Sequence, residues 1–264
     1  MPLLGSGQVT FKNIPLDYQL IGRSIESNKG SFNVNGSVDL DQVSYNAIRL
    51  IITKTEKGVS STYATKEQSF GGINSGIVEF TFDLEIEAVL ANYSISLYGL
   101  IGTNASLIEL PFGKGNNIVA GDAYVIQGQS NAVAKMYEGS SDRLKSDFIR
   151  VYASGTDDYQ GLVANDHWYI GNGDLAHYEN GNTGQWGLKL ASEIVEKHGV
   201  PVAVFNGARG AKPISYFDKN YIEQGQEQNN YGRLLYRLEQ TNLKNKIRSV
   251  FWSQGESDAS TSIA

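Results

Sequence analysis

The feature that most constrains the fold is a change of rhythm near residue 120. Before it, apolar residues come in short runs at 9–12, 31–38, 46–54, 77–84 and 93–100. The runs are rich in Val, Ile, Tyr, Phe and Thr, and Gly, Asn, Asp and Ser separate them. Such runs read as strands, because β-branched and aromatic side chains suit a pleated, half-buried surface and the separators supply turns. Their spacing predicts an antiparallel β-sandwich over residues 1–118, of the immunoglobulin or fibronectin-III kind. The Pro-Phe-Gly-Lys-Gly-Asn-Asn stretch at 111–117 reads as a linker.

After residue 119, strands alternate with helices. Strands are predicted at 122–126, 148–153, 202–205 and 247–253, and helices at 130–138, 186–198 and 231–240. The helix at 186–198 carries Leu190, Ala191, Ile194 and Val195 on one face, Gly199 ends it, and Pro201 prevents its continuation. The run at 202–205 is wholly apolar, as a strand covered on both faces must be. Alternation of this kind predicts a mainly parallel sheet with helices on both sides. Ligands bind at the carboxyl ends of such strands.

Those ends are where the unusual polar segments fall. The first predicted strand delivers Gln127-Gly128-Gln129-Ser130-Asn131, a Gly-flanked turn that presents a hydroxyl. The third delivers Asn206-Gly207-Ala208-Arg209-Gly210-Ala211-Lys212, and the fourth Gln254-Gly255-Glu256-Ser257-Asp258. On one rim they would gather an attacking oxygen, backbone N–H donors, a side-chain amide and a carboxylate. That is the inventory of acyl transfer.

Composition narrows the alternatives. With 41% hydrophobic and 19% charged residues, the chain can build a packed core. A formal net charge of −6 argues against a nucleic-acid or anionic-membrane partner. No apolar run approaches membrane-spanning length. The absence of Cys excludes disulfides and thiol catalysis. The acidic residues show no metal-ligand spacing. The Gly-rich stretches near 171–184 lack phosphate-loop spacing after a strand.

Gly-Gln-Ser-Asn, Asn-x-Ala-x-Gly and Trp-x-Gln-Gly-Glu-Ser, in that order over roughly 120–260, resemble the first three blocks of the SGNH/GDSL hydrolases. The likeness is to the sialate O-acetylesterase and acetylxylan esterase branch, carbohydrate esterase family 6. Trp252-Ser253-Gln254-Gly255-Glu256-Ser257 carries it most specifically. The resemblance implies a flavodoxin-like three-layer α/β hydrolase domain over 119–264, following the sandwich. It implies removal of acetyl groups from carbohydrate, no metal or cofactor, and a secreted or periplasmic location, although no basic-then-apolar leader is visible at the N-terminus.

In the roles so implied, Ser130 is the nucleophile. Its own N–H, that of Gly210 and the Gln254 amide form the oxyanion hole. Asn131 braces the turn, and Glu256 orients Gln254 or the base. Gly210-Ala211-Lys212 departs from the Gly-Gly-Thr of many relatives and leaves Lys212 unexplained. Asn131, Arg209 and Trp168 are substrate-binding candidates. Arg209 would take a carboxylated sugar or, alternatively, an ion pair. Trp168 would stack on a sugar ring or else anchor its own loop. Trp186 and Trp252 are expected in the core, and His198 as a helix-terminal cation.

The family's base lies in an Asp-x-x-His block after a fifth strand. The chain ends eight residues past Glu256, so the base is expected beyond Ala264, the hydrolase domain incomplete, and the strand at 247–253 left at an edge. Asp174-Leu175-Ala176-His177 lies between the first two blocks, and strand order within one fold fixes the order of catalytic residues, so His177 is not expected to serve. The missing block keeps a second expectation open: a carbohydrate-binding or adhesion module on an incomplete esterase scaffold.

Overall fold

A computed structural model of the chain describes residues 9–41, 43, 45–73, 75–102, 108–136, 138–153 and 158–259. It is mostly β-sheet with few helices. In chain order come β1 (Val9–Asn13), β2 (Leu20–Gly22), β3 (Lys29–Asp39), β4 (Ala47–Glu56), β5 (Val59–Ser69), β6 (Ile77–Glu87), β7 (Asn92–Ile101) and β8 (Ile108–Gly128). Then follow α1 (Ser130–Val133), β9 (Ile149–Tyr152), α2 (Tyr159–Val163), β10 (Trp168–Ile170), α3 (Gln185–His198), β11 (Val202–Asn206), α4 (Asn230–Gln240) and β12 (Ile247–Ser253).

β1, β3 and β6 form one antiparallel sheet. β5, β4, β7 and the first half of β8 form a second antiparallel array. Period-two alternation in β6 buries Phe80, Phe82, Leu84 and Ile86, which share a core with Leu50 and Ile52 of β4 and Ile95 and Leu97 of β7. β5 was not read from the sequence. It is polar and mostly exposed, and a two-residue turn holds it to β4, with Lys57 at φ 51° and Gly58 at φ 81°. Its side chains seal the neighbouring edge of β6. Gln68 Nε2 donates to the Glu79 carbonyl at 3.0 Å, and Lys66 Nζ donates to that of Asp83 at 2.6 Å.

Residues 111–117 are not a linker. They lie inside the 21-residue β8, antiparallel to β7. Pro111 is tolerated because it sits at a register irregularity, where one ladder bond is already lost. Gly113 and Gly115 serve close packing: a side chain would meet the Phe11 ring at the first and the Pro15 carbonyl at the second. β8 then continues into a parallel array with the order β10-β9-β11-β8-β12, in which β10 alone runs antiparallel. Val202 and Val204 of β11 point to α3, whereas Ala203 and Phe205 face the side covered by α4, so both faces are filled. Among the described residues β12 pairs only with β8.

One buried carboxylate ties the two halves together. Asp122 of β8 accepts from Arg23 Nε at 2.9 Å and Nη2 at 2.7 Å, and from Arg248 Nε of β12 at 2.6 Å. Burial works against its charge, but the two guanidinium groups outweigh that and hold its carboxyl below the usual range. The unfolded chain titrates near about pH 3.9. With the folded value lower, the stabilisation is complete above about pH 4–5 and is lost as pH falls through the folded value. Thermal unfolding of wild type between pH 7 and pH 3 is therefore expected to show an acid-side loss of stability that Asp122→Asn reduces.

Candidate active site

β8 lies between β11 and β12, so the chain leaves it toward one neighbour and later returns on the other side. That reversal opens a crevice at the carboxyl ends of the three strands. At Gly128 (φ +133°) a side chain would collide with the backbone of Ser253 at the end of β12. The bare backbone lets Gln129 N–H reach the Ser253 carbonyl at 2.9 Å, and the Gly128 carbonyl accepts Arg209 N–H at 2.8 Å from the loop after β11. The turn is held from both sides. Ser130, its next exposed residue, starts α1. This helix is a single turn rather than the span 130–138, because Ala134 is left-handed (φ 46°) and its carbonyl takes Gln185 N–H at 2.8 Å.

Buried amides set the distance between these strand ends. Asn206 Nδ2 donates to the carbonyls of Ala132 (3.0 Å) and Thr183 (3.1 Å), and its Oδ1 accepts Ala208 N–H (3.0 Å). It thus joins α1 to the loop after β11. Gln127 Nε2 donates to Asn230 Oδ1 (2.9 Å), and Asn230 Nδ2 donates to the Gly207 carbonyl (2.9 Å). Arg237, 1% exposed, donates to the last carbonyls of β9 and β11, Tyr152 at 3.0 Å and Asn206 at 2.9 Å. Burial lowers its pKa to about 9. The outcome is that a methyl group added to Gly210 would stand 3.7 Å from the Ser130 Cβ, so the loop after β11 passes beside the Ser130 turn.

The segment after β12 closes the third side. Gln254 Nε2 donates to Asp258 Oδ2 and, at 3.5 Å, toward the Lys212 carbonyl. Glu256, expected to orient Gln254 or the base, has Asn131 as its observed partner. It is exposed and accepts from Asn131 Nδ2, while Ser257 N–H reaches Gln129 Oε1 at 3.2 Å. Lys212, unexplained by sequence, places its ammonium 4.7 Å from the centre of the Tyr216 ring.

The tryptophans redistribute. Trp168 is not available to a sugar: it is 5% exposed in β10, with its ring edge-on to Tyr152 and Phe205. Trp252, expected in the core, is 48% exposed: among the described residues β12 pairs only with β8, and the indole is met edge-on by Phe217. It lines an apolar groove of about 490 Å³ with Phe217, Leu234 and Val250. Trp186 is half-buried and donates its indole N–H to the Asn131 carbonyl at 2.8 Å, bracing the Ser130 turn.

Arg209, next to Gly210 in the chain, donates through Nη1 to His177 Nε2. Asp174 is elsewhere engaged, by Ser140, Ser141 and Gln185. Partial burial opposes its charge, and these hydrogen bonds more than offset that and hold its carboxyl well below the usual range. Among the described residues no group of three or more His, Asp or Glu side chains converges as metal ligands.

The chain is similar to a carbohydrate acetylesterase from Xanthomonas citri at 17% identity and TM-score 0.49, over 96% of this chain and 53% of that one. It is similar to an Arabidopsis thaliana protein at 18% identity and TM-score 0.37, over 52% of this chain and 58% of that one. The chain thus spans little more than half the length of these solved structures. No curated protein matches it. Residues 120–264, over half of the chain, match the family model described as carbohydrate esterase, sialic acid-specific acetylesterase, and the chain belongs to that family.

Proposed function

We propose that this protein is a serine O-acetylesterase of acetylated carbohydrate. The observation that carries the reading is the placement of Gly210 beside Ser130, where an added methyl group would lie 3.7 Å from the Ser130 Cβ, in a crevice whose third wall is the loop after β12, tied to Gln129 through Ser257 N–H. Ser130 Oγ attacks the acetyl carbonyl. The negative charge that develops on the carbonyl oxygen is met by the N–H groups of Ser130 and Gly210 and by the Gln254 amide. A donor of this kind typically lowers the barrier by about 3 kcal/mol. The C–O bond to the sugar breaks, and the proton that left the Ser130 hydroxyl ends on the sugar oxygen; water then attacks the acyl-enzyme, one of its protons restores the Ser130 hydroxyl, and acetate leaves with release of the other.

The residues divide into a sandwich unit, 1–118, and an SGNH-type hydrolase unit, 119–264, with β8 common to both. Distinct apolar clusters, one mostly of residues before 119 and two mostly of residues after it, support that division. The cationic Arg209 beside Gly210 favours a carboxylated sugar, hence sialate over xylan, and Asn131 holds the rim through Glu256. Glycan substrates of this class place the enzyme in a secreted or periplasmic setting.

The test is acetate release from O-acetylated sialic acid and from acetylated xylan, by the protein as its gene encodes it. Faster turnover of the sialic acid is expected, with a phosphonate ester labelling Ser130. Binding of either sugar without acetate release would instead favour a carbohydrate-binding module on the same scaffold.

A further inference from the structure

We propose that Asp258 is a positioning residue that fixes the distance between two oxyanion donors, the Gln254 amide and the Gly210 N–H. The proposal rests on the esterase reading above. Asp258 lies in the turn after β12, where its own N–H bonds the Gly255 carbonyl at 3.1 Å. Its carboxylate faces two loops at once. Oδ2 accepts from Gln254 Nε2, and Oδ1 and Oδ2 accept Ile214 N–H at 3.2 and 3.0 Å. Ile214 opens a short 3-10 turn, Ile214–Phe217, four residues after Gly210. One carboxylate thus spans the loop that carries Gln254 and the loop that carries Gly210.

The amide arithmetic favours the same role. A Gln side chain has two N–H donors on one nitrogen. The N–H on Asp258 is charge-assisted and so the stronger anchor. The other points toward the Lys212 carbonyl at 3.5 Å, at the limit of a hydrogen bond, and is the one free to turn to a developing oxyanion. Without Asp258 the flexible Gln254 side chain has no fixed end. Glu256, two residues nearer in sequence, cannot substitute, because its carboxylate is taken by Asn131.

A missing oxyanion donor lowers kcat by about 10²–10³. A donor that is present but loose loses part of that, so Asp258→Ala is expected to lower kcat about 10–100-fold while KM stays within about twofold. Asp258→Asn keeps one acceptor oxygen and should recover part of the rate. The decisive measurement is a double-mutant cycle with Gln254→Ala on an acetyl ester. Once Gln254 is truncated, substituting Asp258 should cost nothing more in kcat. Additive losses, or an unchanged kcat in folded Asp258→Ala, overturn the proposal; should that variant not fold, Asp258→Asn in the same cycle decides between the two outcomes. A wild-type protein that releases no acetate overturns the esterase reading first, and the catalytic role of Asp258 with it. The NMR resonances of the Gln254 amide then still report whether Asp258 holds it: they shift on Asp258→Asn if it does and stay in place if it does not.

Discussion

Ser130→Ala is expected to reduce kcat/KM for acetyl esters by about 10⁴-fold or more while leaving the fold intact. The two halves of that expectation have separate causes. Removing a catalytic serine hydroxyl removes the covalent route itself. The fixed donors alone retain only about 10³–10⁴ over the uncatalysed reaction, because they can still stabilise charge when water attacks directly. The fold is spared because Ser130 is exposed at the first position of α1, where Ala is a good helix former. The buried residues of that turn are Ala132 and Val133, and what anchors it is backbone: Gln129 N–H on Ser253 and the Ala132 carbonyl on Asn206. A melting temperature within about 2 °C of wild type, together with the lost hydrolysis, separates a chemical role from a structural one. Hydrolysis that survives Ser130→Ala would move the nucleophile elsewhere.

How much of this was legible in the sequence follows from the range over which each signal acts. β12 was readable at both ends, and the start of β6 by its β-branched and aromatic run, because residue type and turn residues are local. β5 escaped because it is a polar strand; its pairing with β4 and its side-chain bonds to β6 exist only in three dimensions. Residues 111–117 misled for the opposite reason. Their Pro and Gly punctuate most chains, yet here they relieve crowding within one long strand. The site divides the same way. Ser130, Gly210 and Gln254 follow strands, so the rule that ligands sit at carboxyl ends of a parallel sheet pointed to one rim. The amides that space that rim, Gln127, Asn206 and Asn230, pair across 23–103 positions, and no local pattern announces such partners. Asp258 had a signal that went unused: it stands two residues beyond Glu256 in the same polar segment. Trp168 and Trp252 traded places because burial of a short strand depends on what packs over it.

The two glycines of the site are expected to respond oppositely to the same added methyl group. Gly128→Ala should cost about 3 kcal/mol or more and abolish hydrolysis. At φ +133° an L-residue is strained wherever it stands, and the new Cβ would run into the Ser253 carbonyl. Relief requires β12 to move away from β8. That movement breaks the Gln129–Ser253 bond and carries Gln254 and Asp258 off with it. Gly210→Ala meets no such obstacle. Its nearest neighbours would be the Ser130 Cβ at 3.7 Å and Cα at 3.8 Å, ordinary contact distances, and its φ lies outside the left-handed region. Its stability should stay within about 1 kcal/mol of wild type, since Gly→Ala at a compatible backbone also restricts the unfolded chain. The methyl group nevertheless stands over the nucleophile while the N–H remains, so the loss should fall on KM for bulky acetylated sugars more than on p-nitrophenyl acetate. Urea midpoints and substrate-dependent KM values for the pair decide the matter. Equal destabilisation by both substitutions would mean that the strand ends are not clamped as described. Equal KM effects on small and bulky esters would mean that Gly210 does not face the substrate.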